Sequence, residues 1–247
     1  MFKLSRIMLF CTLFTCLTIG ISSAKTLVVG CDTNFMPFEF KQGGQYVGFD
    51  IDIWAAIAKD LDLKYELQPM DFNGLIPALQ SGNIDVAIAG MTIKSKREEV
   101  VDFAYPYYDA GLKILVKSGE MQIQSIESLK DKVVATKLGT TSADFVKNEI
   151  KPKKISQFPN IDGAYLELQT GAADAVVFDS PAVQYYANTA GKGTAKVVGP
   201  LYKGQSYGIA FPQGSKLREK VSISLLKLME EGTYATLYKK WFGEDPK

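Results

Sequence analysis

Arg97, Thr92, Asp32, Lys137 and Asp179 are the side chains whose types and settings could do chemistry on a small molecule. Arg97 presents a planar fork of N–H donors and Thr92 a hydroxyl, which together suit a carboxylate. Just upstream, Ala89-Gly90 lets a ligand approach the backbone, because neither residue has a side chain large enough to intervene. A carboxylate-binding fork beside an open backbone points to capture of a small zwitterion.

The elements that must hold these residues follow from periodicity. Ile76, Leu79 and Gln80 recur at helical spacing and Gly82-Asn83 stops the helix; Ile84–Ala89 then suits a strand covered on both faces. Leu27–Gly30 is a first strand leading into the loop of Asp32 and Phe35. A Gly43-Gly44 turn separates Phe38-Glu39-Phe40 from Tyr46-Val47. Trp54, Ile57, Ala58 and Leu61 mark an amphipathic helix, with Asp50 and Asp52 near its positive end. Tyr65–Leu67 is a strand leading to Phe72.

Beyond Tyr108 the pattern restarts. Strands are expected at Leu112–Val116, Lys132–Thr136, Ala175–Phe178 and Tyr207–Phe211. Helices are expected at Ser125–Leu129, after Gly139-Thr140-Thr141-Ser142 through Ile150, at Ile161–Gln169, from Pro181 through Tyr186, and in Leu217–Trp241. Small and hydroxyl residues entering a helix leave free backbone N–H groups, a ready place for a carboxylate. Strands alternating with helices mean an α/β protein with mostly parallel sheets. Such sheets place ligands outside the carboxyl ends of their strands, where Asp32, Gly90–Thr92, Lys137–Thr141 and Asp179 all fall.

Bulk properties narrow the function classes. The 247 residues suit two domains, and a net charge of +1 argues against nucleic acid as a partner. The chain has no histidine, which removes the usual general base and the commonest metal ligand. Lys3 and Arg6, the apolar run Ile7–Ile21 and Ser22-Ser23-Ala24 read as a signal peptide cleaved after Ala24. Its removal would shift the formal charge by two, from +1 to −1. Cys11 and Cys16 lie in that leader, so Cys31 remains alone and no internal disulfide can form. Leu13–Cys16 only faintly matches a lipoprotein box. Cys31 reads as a small buried filler, since no histidine can activate it.

Several motifs carry a family resemblance. Gly48-Phe49-Asp50-Ile51-Asp52-Ile53 with Ile57, Ala58 and Leu61, Cys31–Phe35, Met70-Asp71-Phe72, Ala89–Thr92, Gln157–Asp162 and Tyr238–Gly243 span the mature chain. Through them it resembles the periplasmic amino-acid-binding proteins of ABC transporters, the family 3 solute-binding proteins, and among them the glutamine-binding members. The resemblance implies a periplasmic-binding-protein-like α/β fold of type II, two α/β lobes joined by two hinge strands. Lobe 1 would comprise residues 25–108 plus 206–247 and lobe 2 residues 109–205, after a leader of residues 1–24. The hinges would lie near Tyr107–Gly111 and Lys203–Tyr207.

The same resemblance implies the site roles. Arg97, Thr92 and the backbone at Thr141 would take the ligand α-carboxylate; Asp179 and the Gly90 carbonyl beside Ala89 would take the α-ammonium. Phe35 and Phe72 would sandwich the aliphatic part, while Asp32 and Lys137 would hold a side-chain amide. Glutamine is the expected ligand and another polar amino acid the alternative. Phe178 stands where the glutamine-binding members have histidine, and Thr141 where they have glycine. The implied partners are the amino acid and the membrane permease of an ABC transporter, with a monomeric, periplasmic receptor and no cofactor or metal.

Other readings stand beside these. Asp179 could cap the helix that begins at Pro181, Lys137 could face water at its strand end, and Phe35 and Phe72 could be core aromatics. The fold also hosts exported dehydratases, for which Glu39 and Glu167 are the nearest acidic candidates. A sensor module of a membrane receptor would need a spanning segment downstream, and none follows before Lys247.

Overall fold

Residues 25–246 are described by a computed structural model, in which two mixed sheets are each packed between helices. The proposed leader, with Cys11, Cys16 and the Ala24 cleavage site, lies outside the described residues. The first sheet has the order β4-β1-β5-β12-β6, built from β1 (Leu27–Asp32), β4 (Tyr65–Met70), β5 (Val86–Ala87), β6 (Val101–Phe103) and β12 (Ala210–Pro212). The second has the order β11-β7-β10-β8-β9, built from β7 (Tyr108–Lys117), β8 (Val133–Lys137), β9 (Lys154–Phe158), β10 (Ala175–Asp179) and β11 (Ala195–Tyr207). A small hairpin, β2 (Phe40–Gln42) with β3 (Gln45–Val47), turns at Gly43-Gly44 as expected.

Strand alternation assigns the faces. Val86 and Phe211 pack with Ile53, Trp54 and Ile57 of α1 (Phe49–Asp60) and with Val221 and Leu225 of α7 (Lys216–Glu230). Their neighbours Ala87 and Ala210 face Leu75 and Leu79 of α2 (Phe72–Ser81). In the second sheet, Ile114 and Val177 lie under Phe145 of α4 (Thr141–Phe145) and the π-helical turn that continues it to Ile150. Leu115 and Val176 lie under α5 (Ile161–Thr170) and α6 (Ser180–Asn188). A short α3 (Ser95–Glu98) carries Arg97, and α8 (Thr233–Phe242) closes the chain.

The sheets are mixed, which corrects the expectation of mostly parallel pairing. β1 with β4 and β5, and β8 with β9 and β10, are parallel. β7 runs antiparallel to both β10 and β11, and β12 antiparallel to β5 and β6. The cause is the return crossing: the chain leaves the first sheet into β7 and comes back along β11, so these strands oppose each other. Their shared end pairs Gln205 with Ala110, Ser206 with Asp109 and Tyr207 with Tyr108. The expected strand Tyr207–Phe211 is therefore two strands, the end of β11 and β12, broken at Gly208-Ile209. β6, β9 and most of β11 were not foreseen.

Candidate ligand-binding cleft

The carboxyl ends of β1, β8 and β10 meet around one cavity containing about 280 Å³ of atom-free space. All ten residues expected at the site line it: Asp32, Phe35, Phe72, Ala89, Gly90, Thr92 and Arg97 from one lobe, and Lys137, Thr141 and Asp179 from the other. Thr140 and Phe178 complete the lining; neither was among the ten, although Thr140 lies in the Lys137–Thr141 strand end and Phe178 stands where the glutamine-binding members have histidine. Their signals were present: Thr140 is the hydroxyl that caps α4, accepting from the Ala143 N–H, and Phe178 adjoins Asp179 at its strand end.

Arg97 is buried, 6% exposed, although a guanidinium prefers water. Its Nη1 donates to the Thr92 carbonyl at 2.8 Å and its Nη2 to the Gly139 carbonyl of the opposite lobe at 3.3 Å. The guanidinium carbon lies 5.3 Å from the centre of the Phe72 ring, so Phe72 supports its flat face. Burial pulls its pKa down to about 10, which still leaves it cationic at neutral pH. Among the described residues it forms no ion pair with a carboxylate.

Asp179 ends β10 and occupies the N-cap position of α6, but its side chain makes no cap hydrogen bond. Instead Oδ2 accepts from the Tyr207 hydroxyl at 2.6 Å, while Oδ1 is buried without a donor. Burial raises its pKa to about 6, against the lowering effects of Tyr207, Arg97 and Lys137. A buried carboxylate oxygen with no donor is a costly arrangement that a cationic ligand would relieve.

Asp32 and Lys137 are paired directly across the cleft, and both are almost wholly buried. The reading of Lys137 as a water-facing lysine is thereby overturned. Asp32 Oδ1 also accepts the Thr33 N–H at 2.8 Å. The lobes touch again where Lys94 bonds Asp144 at 2.6 Å and Asn34 bonds Asp162 at 2.6 Å. A Cβ on Gly139 would come within 2.8 Å of that of Asn73.

Gly90 shows why the backbone is open here. Its φ is +51°, and an added Cβ would lie 2.2 Å from the Phe35 ring. Phe35 itself stacks on Phe38 with centroids 4.9 Å apart and meets Phe178 edge-on at 5.7 Å, so it cannot retreat freely. Gly90→Ala should cost about 2–4 kcal/mol, combining the left-handed strain with overpacking. Denaturant unfolding checks this, and a loss under 1 kcal/mol would show that the ring yields.

The acidic pair at the start of α1 divides in two. Asp52 accepts from Lys240 and from the Trp241 indole, each at 2.7 Å, on the outside. Asp50, in the same first turn near the helix's positive end, is fully buried. Its Oδ2 accepts the Gly90 N–H and the Tyr107 hydroxyl, each at 2.8 Å. Burial lifts its pKa to about 6, and burial beside Asp50 and Asp32 raises Glu39 well above the usual range. Neither Glu39 nor Glu167 lines the cavity. Burial, with Asp32 and Asp50 nearby, pushes the Cys31 thiol up to about 12, which fits its reading as inert filler.

Two α/β lobes closing on a cleft at their strand ends, with return strands between them, define a type II periplasmic-binding-protein fold. Residues 27–244 match the bacterial extracellular solute-binding proteins, family 3, and the chain belongs to that family. The "ABC transporter glutamine-binding protein GlnH" of Bacillus subtilis (strain 168) is 35% identical over 88% of this chain and 81% of its own. An ancestral arginine-binding protein bound to arginine superimposes with a TM-score of 0.84 at 46% identity, covering 88% of this chain and 98% of that one. An ancestral arginine-binding protein bound to glutamine gives 0.85 at 47% identity, covering 89% and 98%. The chain is therefore an amino-acid-binding receptor of the ABC-transporter type. No helix among the described residues is long and apolar enough to cross a membrane.

Proposed function

We propose that this receptor is exported, loses residues 1–24 by cleavage after Ala24, and works in the periplasm as a monomer. It captures a polar L-amino acid, glutamine first, between lobes 25–108 plus 206–247 and 109–205, and delivers it to a membrane permease. No turnover of the ligand is part of this role. The observation that carries the reading is the opposition, in one cavity, of a buried guanidinium without a carboxylate and a buried carboxylate oxygen without a donor. Burying both ends of a zwitterion costs several kcal/mol per charge unless each is paired, and these two groups supply the pairs.

Arg97 and Thr92, with the Thr141 backbone, hold the α-carboxylate; Asp179 and the Ala89-Gly90 backbone hold the α-ammonium. Phe35 and Phe72 flank the aliphatic chain. Asp32 and Lys137 offer an acceptor and a donor to an amide, which suits glutamine. A ligand touching both lobes stabilises the closed form by its differential affinity. Calorimetry against the twenty amino acids tests the assignment, and glutamine binding weaker than several others would overturn it.

Arginine is a second reading favoured by one observation. Lys137 is already neutralised by Asp32, so a cationic side chain does not meet a bare like charge. The ancestral arginine-binding relatives, bound to arginine and to glutamine, support keeping both.

The ammonium contact requires Asp179 to be ionised, and its pKa is raised to about 6. Affinity should be flat above pH 7 and fall about tenfold per unit below pH 6 as the carboxylate is protonated. The stability effect has the opposite sense. A carboxyl raised from 3.8 to about 6 binds more protons folded than unfolded between those values. It therefore opposes folding increasingly as pH rises through that window. Calorimetric titration at pH 5 and pH 7.5 checks the affinity, and equal values would count against Asp179 as the ammonium partner.

A further inference from the structure

Each of the two crossing segments carries a buried tyrosine whose hydroxyl bonds a buried carboxylate of the cleft. Tyr107, just before β7, donates to Asp50 at 2.8 Å; Tyr207, the last residue of β11, donates to Asp179 at 2.6 Å. Both tyrosines are at most 1% exposed. The two are also joined to each other, the Tyr107 N–H donating to the Tyr207 carbonyl at 2.9 Å. Asp50 does not line the cavity, but it accepts the Gly90 N–H. Because that peptide is planar and trans, its Ala89 carbonyl points the opposite way, away from Asp50. Tyr207 also bridges to Thr92, with the Gly208 N–H bonding the Met91 carbonyl and the Ile93 N–H bonding Ser206.

We propose that Tyr107 and Tyr207 are positioning residues of the ammonium subsite, each fixing through its hydroxyl the carboxylate on which one acceptor depends. Tyr207 holds Asp179 directly. Tyr107 holds Asp50, which sets the Ala89-Gly90 peptide. The subsite is thus built on the two crossing segments, so lobe closure and ammonium alignment share the same side chains. This rests on the assignment of the ammonium to Asp179 and to the Ala89-Gly90 backbone, here the Ala89 carbonyl.

Of the groups that favour ionisation of each carboxylate, its tyrosine hydroxyl contributes most. Asp179 faces Tyr207 and Gln205 from β11, Arg97 from α3, Lys137 from β8 and Tyr165 from α5. Asp50 faces Tyr107, Glu39 ahead of β2, Cys31 of β1 and Tyr234 of α8. A hydrogen bond to an ionised group is among the stronger ones, and losing it favours the protonated form.

The test replaces one oxygen. Tyr207→Phe keeps the ring stacked on Tyr108, so packing is retained. In the ligand-free protein, carbon-13 titration of the Asp179 carboxyl should move upward by about one to two pH units. Glutamine and arginine affinity should weaken about two- to tenfold at pH 7 and recover to within about twofold at pH 8.5. Tyr107→Phe should raise the Asp50 titration in the same way, while Tyr108→Phe, at the next residue, should move neither. An unmoved carboxyl titration, or a loss of affinity equal at every pH, overturns the proposal. If the wild-type protein binds no amino acid, the receptor assignment fails instead, and the ligand-free titrations still decide whether the hydroxyls hold the carboxylates.

Discussion

Arg97→Ala is expected to weaken amino-acid binding by about two to three and a half decades, equivalent to about 3–5 kcal/mol. The size follows from the closed geometry. The guanidinium is buried, so a ligand carboxylate held there is removed from water and left unpaired when the fork is deleted. The substitution also removes the cation resting on Phe72 and the bond to Gly139 across the cleft, so closure suffers with binding. Arg97→Lys separates charge from shape. Lysine keeps the charge but is a point donor, and the Thr92 carbonyl and a carboxylate cannot both be met as a fork meets them. It should recover part of the loss, leaving about one to two decades. Isothermal calorimetry on both variants measures this, and an alanine variant within tenfold of wild type would remove Arg97 from the proposed role.

The cleft was more legible in the sequence than the sheets that build it. Asp32, Lys137 and Asp179 each close an apolar run, so a strand followed by a polar residue could be read locally. The loop Ala89–Thr92 is equally local, since only small residues permit the Gly90 conformation and the approach of Phe35. Sheet order and direction are not local. β9 reads Lys-Ile-Ser-Gln-Phe, with Lys154 and Gln157 exposed at the sheet edge and Ser156 buried, and lacks a run of apolar residues. β11 is interrupted by register shifts between Val198 and Tyr202 and between Tyr202 and Gln205, which erase its period of two.

Asp50 is the instructive miss. Taken alone, an acidic residue in the first turn of a helix is a dipole partner, and Asp52 fits that description. Yet Asp50 lies three and four residues before Ile53 and Trp54, on the same stripe as Ile57, so helical spacing alone placed it inward. A carboxylate on a core stripe needs donors, and those donors, the Gly90 N–H and the Tyr107 hydroxyl, come from distant segments.

Lys137→Met is expected to lower affinity by about as much as Arg97→Ala, through closure and not through the ligand termini. In the closed form Asp32 and Lys137 are 2% and 1% exposed and answer each other's charge. Removing the lysine strands a carboxylate in the closed cleft, at a cost of about 3–5 kcal/mol, whereas an opened cleft would return Asp32 to water. The penalty therefore falls on the closed state and is read as lost affinity. Pairing the change with Asp32→Val distinguishes this from a lost ligand contact, because two apolar residues of similar volume can replace a buried ion pair at little cost. The double variant should close again and regain at least a decade of affinity, while discriminating poorly among polar and apolar side chains. Small-angle scattering with and without amino acid follows closure, and a double-mutant cycle gives the coupling. If the double variant binds no better than either single one, the pair acts on the ligand and not on the balance between open and closed lobes.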